Sequence, residues 1–141
     1  MHYPKGFIVT GIHAGIKKNT QKNDLGIIYS VVPATVAGVT TQNLVVAAPI
    51  VQARKVLKGG VAQTIVVNSG NANACTGKAG MAVVQAEVQQ AAKLLGVKSG
   101  HVLVASTGII GVVPPVDKLV NGIQAAAGYL KTGVGANDYS P

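Results

Sequence analysis

Carboxylates are scarce in this chain. Asp24, Glu87, Asp117 and Asp138 are the whole supply, so hydrolysis by paired carboxylates and carboxylate-rich metal sites are poorly provided for. No metal and no cofactor are expected. Cysteine is rarer still. Cys75 stands alone, which excludes an internal disulfide and makes a cytoplasmic location the default expectation. Tryptophan is absent and Phe7 is the only phenylalanine, so the core has to be built from small aliphatic side chains. Apolar runs are short as well. None reaches the roughly 18 residues that a membrane span needs, and the first ten residues lack the basic start and long apolar middle of a signal peptide. No membrane partner is expected.

What is present is a 141-residue chain, 48% apolar, with 18 glycines and a net charge of +8. The length suits one domain, residues 1–141, with a real core, and the apolar content argues against disorder. The positive charge could draw nucleic acid or anionic metabolites. Its lysines are scattered, with small clusters at Lys17 and Lys18 and at Lys55 and Lys58, Arg54 is the only arginine, and no aromatics are interleaved for base stacking. Nucleic acid is therefore not an expected partner.

The first third of the chain predicts strands over residues 7–10, 26–32, 36–41 and 44–47, with Pro33 ending the second because it cannot donate to a sheet ladder. A short helix is expected over 49–57, with Pro49 in its first turn. The second half has a clearer rhythm. Residues 63–68 form a β-branched strand, a glycine loop follows over 69–80, and Met81, Val84, Val88, Ala91, Ala92 and Leu95 then recur at helical spacing up to Gly96. A strand over 102–105 leads into a second glycine loop over 106–111. Pro114 and Pro115 open another helix, with Val116, Leu119, Val120, Ile123, Ala127 and Leu130 on one face and Gly133 and Gly135 at its end. Strand, loop and helix in succession, twice over, indicate an α/β layer structure. Both loops sit where such sheets bind ligands.

The first loop, from Asn68 to Lys78, ends in Gly77-Lys78. It is not a phosphate loop, because Ala72 stands where the first glycine belongs and Ala79 follows the lysine. Asn68, Asn71 and Asn73 are better suited to fixing the loop itself. Cys75 could be a nucleophile only with an activating base, and nothing ties His2, His13 or His101 to it, so a buried small thiol is expected. His13, between Gly11 and Gly15, could face a site or simply be packed, and His101 is expected at the surface. In the second loop, Ser106-Thr107-Gly108, backbone N–H groups and a threonine hydroxyl could converge on an anion, as in an oxyanion hole.

Several segments together resemble the N-terminal region of the ornithine acetyltransferases, the bifunctional glutamate N-acetyltransferases of arginine biosynthesis (the ArgJ family). They are Pro4-Lys5-Gly6-Phe7, the stretch from Gly11 to Lys17, Ala37-Gly38-Val39, Ala47-Ala48-Pro49, the asparagine-glycine loop from Asn68 to Gly77, the stretch from Val104 to Gly111, and Asp117-Lys118. They occur in the family's order up to about Ala127. The resemblance implies an ArgJ/DmpA-like layered sandwich of mixed β-sheet and helices, incomplete without a C-terminal β-chain region.

It also implies an enzyme that cleaves itself autocatalytically before a threonine. The new N-terminal threonine of the β chain takes the acetyl group of N-acetylornithine and passes it to glutamate, with acetyl-coenzyme A left open as a further donor. Thr107 and Gly108 match the pair that forms the family's oxyanion hole. The β chain would be this chain's partner, in an α2β2 heterotetramer. Leu44 and Val46 depart from the pattern, standing where many relatives carry basic residues. No cleavage motif is present, and Thr132, in Lys131-Thr132-Gly133, does not match one. The chain alone is thus expected to be inactive, an α-chain portion that supplies the oxyanion hole but not the nucleophile. The competing expectation is a non-catalytic assembly or binding domain that keeps the fold.

Overall fold

The computed structural model describes residues 4–18 and 22–132. Its elements run β1 (Phe7–Ile12), β2 (Leu25–Thr35), α1 (Ala48–Gly59), β3 (Val61–Asn71), α2 (Gly77–Leu95), a 3-10 turn (Ser99–His101), β4 (Val102–Ile109) and α3 (Val116–Thr132). The four strands form one sheet in the order β1-β2-β3-β4. The first two pairings are antiparallel, and β3 pairs with β4 in parallel. That last pairing needs a crossover, which α2 supplies. The result is the mixed α/β architecture that the alternation of elements implies.

The pleat sorts residues by face. Ile8, Thr10 and Ile12 of β1 lie opposite Tyr29, Ile27 and Leu25 of β2. Thr64, Val66 and Asn68 of β3 lie opposite Val102, Val104 and Ser106 of β4. On this face Leu25, Ile27, Val66, Val102 and Val104 join Ala48 of α1, Val83, Val84, Val88, Ala91 and Ala92 of α2, and Leu119, Ile123, Ala126 and Leu130 of α3 in one core. Alanines and valines make up most of this core. α3 rests on β1 and β2, while α1 and α2 rest on β3 and β4. Gly96 ends α2 in the left-handed conformation, φ 68°, as its position predicts. Gly133 and Gly135, expected to end α3, lie outside the described residues.

The opposite face carries Phe7, Val9, Ile28, Ile65, Val67, Leu103 and Ala105 by the same registers. Phe7 and Ile28 are exposed, and among the described residues no helix packs over this face. It is an apolar sheet surface of the kind that usually meets a second layer.

Three expectations need correction. The strands expected over 36–41 and 44–47 do not form. The segment joins neither edge of the sheet, β1 or β4, and is a loop with Val39 and Leu44 almost fully exposed. Arg54 holds it from α1, donating through Nε to Thr40 Oγ1 at 3.2 Å and through Nη2 to the Thr41 carbonyl at 2.5 Å. Pro33 does not end β2. The register with β3 shifts between Tyr29 and Ala34, so the proline sits in an irregularity where no ladder N–H is required. Finally, residues 106–109 are not a loop but the last four residues of β4, and β3 likewise runs on to Asn71.

Candidate active site

The extension of β3 and β4 brings both glycine motifs side by side. Asn68, Ser69, Gly70 and Asn71 pair in parallel with Ser106, Thr107, Gly108 and Ile109. What permits this is a glycine on each strand. Gly70 has φ 130° and Gly108 φ 127°, values that a side-chain-bearing residue rarely adopts. A Cβ on Gly108 would run into the carbonyl group of Gly70 and come within 2.7 Å of the Asn71 nitrogen. The two backbones therefore cross at a distance open only to glycine.

The asparagines hold this crossing, as expected for a structural role. Ser106 Oγ donates to Asn68 Oδ1 at 2.6 Å, and Asn68 Nδ2 reaches the Asn71 carbonyl at 3.5 Å. Asn73, fully buried and left-handed at φ 51°, donates from Nδ2 to the Gly80 carbonyl at 3.0 Å and accepts from Thr76 Oγ1 at 2.7 Å. It thereby ties the loop to the first turn of α2. Beyond the strands, Ala72 N donates to Ile109 O and Gly111 N to Ala74 O, each at 2.9 Å, so the two loops continue as a pair.

Thr107 and Gly108 are exposed at the end of β4. Since β4 is an edge strand and successive N–H groups on a strand point to opposite sides, one N–H of the Thr107-Gly108 pair faces away from β3. The Thr107 hydroxyl donates to the Asn68 carbonyl at 3.4 Å. That is long for an O–H donor, and a hydroxyl so weakly held can turn to a stronger acceptor. A neighbouring cleft is lined by Asn23, Asp24, Gly26, Val67, Asn68 and Ser69, the last being the register partner of Thr107.

The turn between β1 and β2 closes the site from the other side. Ile16 packs on Gly70, its Cγ2 lying 2.7 Å from where a Cβ would stand, and the Lys17 Cγ is 3.6 Å from the same point. His13 belongs to this turn rather than to a catalytic pair with Cys75. Its Nδ1 lies 3.1 Å from the Lys22 carbonyl and 3.4 Å from Asp24 Oδ2. The buried Asp24 carboxylate accepts from Ala14 N at 2.6 Å and Lys17 N at 2.8 Å. Its role was invisible along the chain. The only local signal was an acid, in a chain with almost none, directly before a strand.

Two further expectations fail. Cys75 is exposed rather than buried, in the left-handed region at φ 57°, because the loop turns outward just before α2. His101 is half-buried rather than at the surface, with Nδ1 enclosed and unpartnered, since the 3-10 turn folds back ahead of β4. Elsewhere, Glu87 lies fully enclosed in the middle of α2. Burial pushes its carboxyl from 4.5 up to about 8, because a charged carboxylate loses its hydration there. Among the described residues, no three of His, Cys, Asp and Glu gather as a metal site would require, and no helix is long and apolar enough to cross a membrane.

Known proteins resemble this chain throughout. The profile of the ArgJ family matches residues 8–138. The arginine biosynthesis bifunctional protein ArgJ of Caldanaerobacter subterraneus subsp. tengcongensis is 46% identical over 124 residues, which is 88% of this chain and 30% of that protein. The Streptomyces coelicolor protein of the same name is 47% identical over 127 residues, 89% of this chain and 33% of its own length. The chain thus spans about a third of the curated relatives it matches. Among solved structures, ornithine acetyltransferase from Mycobacterium tuberculosis, complexed with ornithine, superposes with a TM-score of 0.86 at 36% identity, covering 96% of this chain and 73% of that one. The ArgJ crystal structure from Bacillus halodurans superposes with a TM-score of 0.81 at 38% identity, covering 94% and 68%.

Proposed function

This chain belongs to the ArgJ family, and from that premise we propose that it is the α-side portion of an acetyltransferase of arginine biosynthesis, with Thr107 and Gly108 as its oxyanion hole. The observation that carries the proposal is the Gly70–Gly108 crossing, which holds Thr107 and Gly108 on an exposed strand edge with a weakly held hydroxyl and an outward N–H available to an anion. The substrates follow from the family: N-acetylornithine as acetyl donor and glutamate as acceptor.

The chemistry then has two matching halves. A threonine hydroxyl, contributed by a β-chain segment of the family outside this chain, adds to the acetyl carbonyl of N-acetylornithine. The carbonyl oxygen gains negative charge, which the Thr107 hydroxyl and the Gly108 region bind. Collapse breaks the C–N bond, the ornithine amine takes a proton and leaves, and an acetyl-threonine ester remains. The glutamate amine adds to that ester in turn. The same donors bind the second oxyanion, and threonine departs from N-acetylglutamate. One such donor is worth about 3–4 kcal/mol of barrier. The uncovered apolar sheet face, with Phe7 and Ile28 exposed, supports a partner layer from the β chain, and an α2β2 assembly is in keeping with it. The alternative, a non-catalytic binding domain, rests on that same face.

The test is acetyl transfer from N-acetylornithine to glutamate. This chain by itself is expected to be inactive and to gain activity when joined by the β-chain region of the family. In the joined enzyme, Thr107→Ala should lower kcat by a factor on the order of 10² to 10³. Unaltered turnover in that variant refutes the oxyanion assignment, and failure of the joined protein to transfer acetyl favours the binding domain.

A further inference from the structure

Asp24 touches neither Thr107 nor Gly108, yet one of its bonds reaches the strand that supports them and two more close the turn packed on that strand. Its backbone carbonyl accepts from Ser69 N at 2.8 Å. Its carboxylate oxygens are divided between two N–H donors of the β1–β2 turn, Ala14 N at 2.6 Å and Lys17 N at 2.8 Å. Hydrogen bonds to an ionised acceptor are short and strong, and a carboxylate buried to this degree has to be paired. The turn they close is docked on α3 and on β3. Lys118 Nζ donates to the Gly15 carbonyl at 2.6 Å. Gly122 of α3 makes room for Ala14, whose Cβ lies 2.6 Å from where a Gly122 Cβ would be. Ile16, at the turn's outer corner, is pressed on Gly70.

Gly70 is therefore held between two contacts, Ile16 on one side and Gly108 on the other. The contact with Gly108 is backbone to backbone, and the contact with Ile16 is made by a side chain packed on the glycine. A shift of the turn is passed through Ile16 to Gly70, and from Gly70 to Gly108 and Thr107.

We propose that Asp24 is a positioning residue for acetyl transfer, setting the Gly70–Gly108 crossing through the Ala14–Lys17 turn and thereby the place of the Thr107 and Gly108 donors. The inference rests on the oxyanion reading of those two residues. Its physical basis is the steep dependence of catalysis on geometry, where a displacement of about 1 Å can cost on the order of a hundredfold. Asparagine at this position keeps the size but turns one acceptor into an N–H₂ group facing an N–H donor, so it opens the turn without emptying the site.

The experiment uses the assembled enzyme, this chain with its β-chain region, and compares Asp24→Asn, Thr107→Ala and the double variant. Asp24→Asn is expected to lower kcat at least about tenfold while leaving KM for both substrates within about twofold, and it is expected to add little to the loss already present in Thr107→Ala, since the two would act as one unit. Ile16→Ala, which keeps both carboxylate bonds and removes the contact with Gly70 together with some packing at the edge of the core, should behave in the same way and carries the comparison if Asp24→Asn does not fold. Fully multiplicative losses in the double variant, or a change confined to KM, overturn the positioning role while leaving the oxyanion reading intact. A Thr107→Ala enzyme with normal turnover overturns both.

Discussion

Glu87 offers a direct test of the physical account of the core. The side chain is fully enclosed in α2 and neither carboxylate oxygen has a hydrogen-bond partner. Burial alone raises its pKa from 4.5 to about 8. Between those two values the folded chain keeps a proton that the unfolded chain has released. The unfolded state binds fewer protons, so stability falls as pH rises. The contribution is fully present below pH 4.5, declines most steeply between 4.5 and 8, and levels off above 8. Each unit separating the two values is worth about 1.4 kcal/mol, so the full loss is about 5 kcal/mol, a large part of the stability of an ordinary domain. Glu87→Gln keeps the shape and cannot ionise. Urea denaturation at pH 5, 7 and 8.5 should show the variant close to the parent at the lowest pH and more stable by several kcal/mol at the highest. Every other titratable group is common to both proteins, so their contributions cancel in the difference. Parallel stability curves for the two proteins would show that Glu87 is hydrated or paired in the native state and would refute the argument.

The remaining predictions concern the site. Thr107→Ala should slow acetyl transfer by the factor given above without lowering the thermal midpoint, since it removes only a 3.4 Å hydrogen bond. Gly108→Ala should do both. Its Cβ would meet the Gly70 carbonyl and its φ of 127° is strained for alanine, so circular-dichroism melts should show a loss of roughly 1–3 kcal/mol or more together with lost activity. Asn73→Ala should destabilise by about 1–3 kcal/mol, because the buried Gly80 carbonyl and the Thr76 hydroxyl lose their partner. Hydrogen exchange should locate that loss at the start of α2, and unaltered protection there would count against the clamp. Asp24→Asn should act on kcat rather than KM.

Much of the fold was legible because its signals are local. The stripe from Met81 to Leu95 repeats at helical spacing and Gly96 ends it, and α2 spans Gly77–Leu95 as that pattern requires. The β-branched run around Val66 made a strand for the same reason. The segment over 36–47 misled because its Val, Thr and Leu residues favour a strand without joining a ladder that would make one. In β2, Pro33 forbids a regular ladder but not a strand with a register shift. The motif Thr107-Gly108 could be found from its neighbours, whereas the supports beneath it could not. Asp24 is far in sequence from Gly70, and Gly70 from Gly108.

By itself the sequence determined the three helices and the centres of the four strands, the small-residue core, the family and the pair Thr107-Gly108 as the candidate to look at. Only the tertiary structure decided that residues 106–109 continue a strand, that Cys75 points outward, that one sheet face stays uncovered, and that Asp24 closes the turn pressed on Gly70. The reason is physical. Helix and strand periods record constraints between residues a few positions apart, while a close backbone crossing and a buried carboxylate's partners are settled only when distant segments meet.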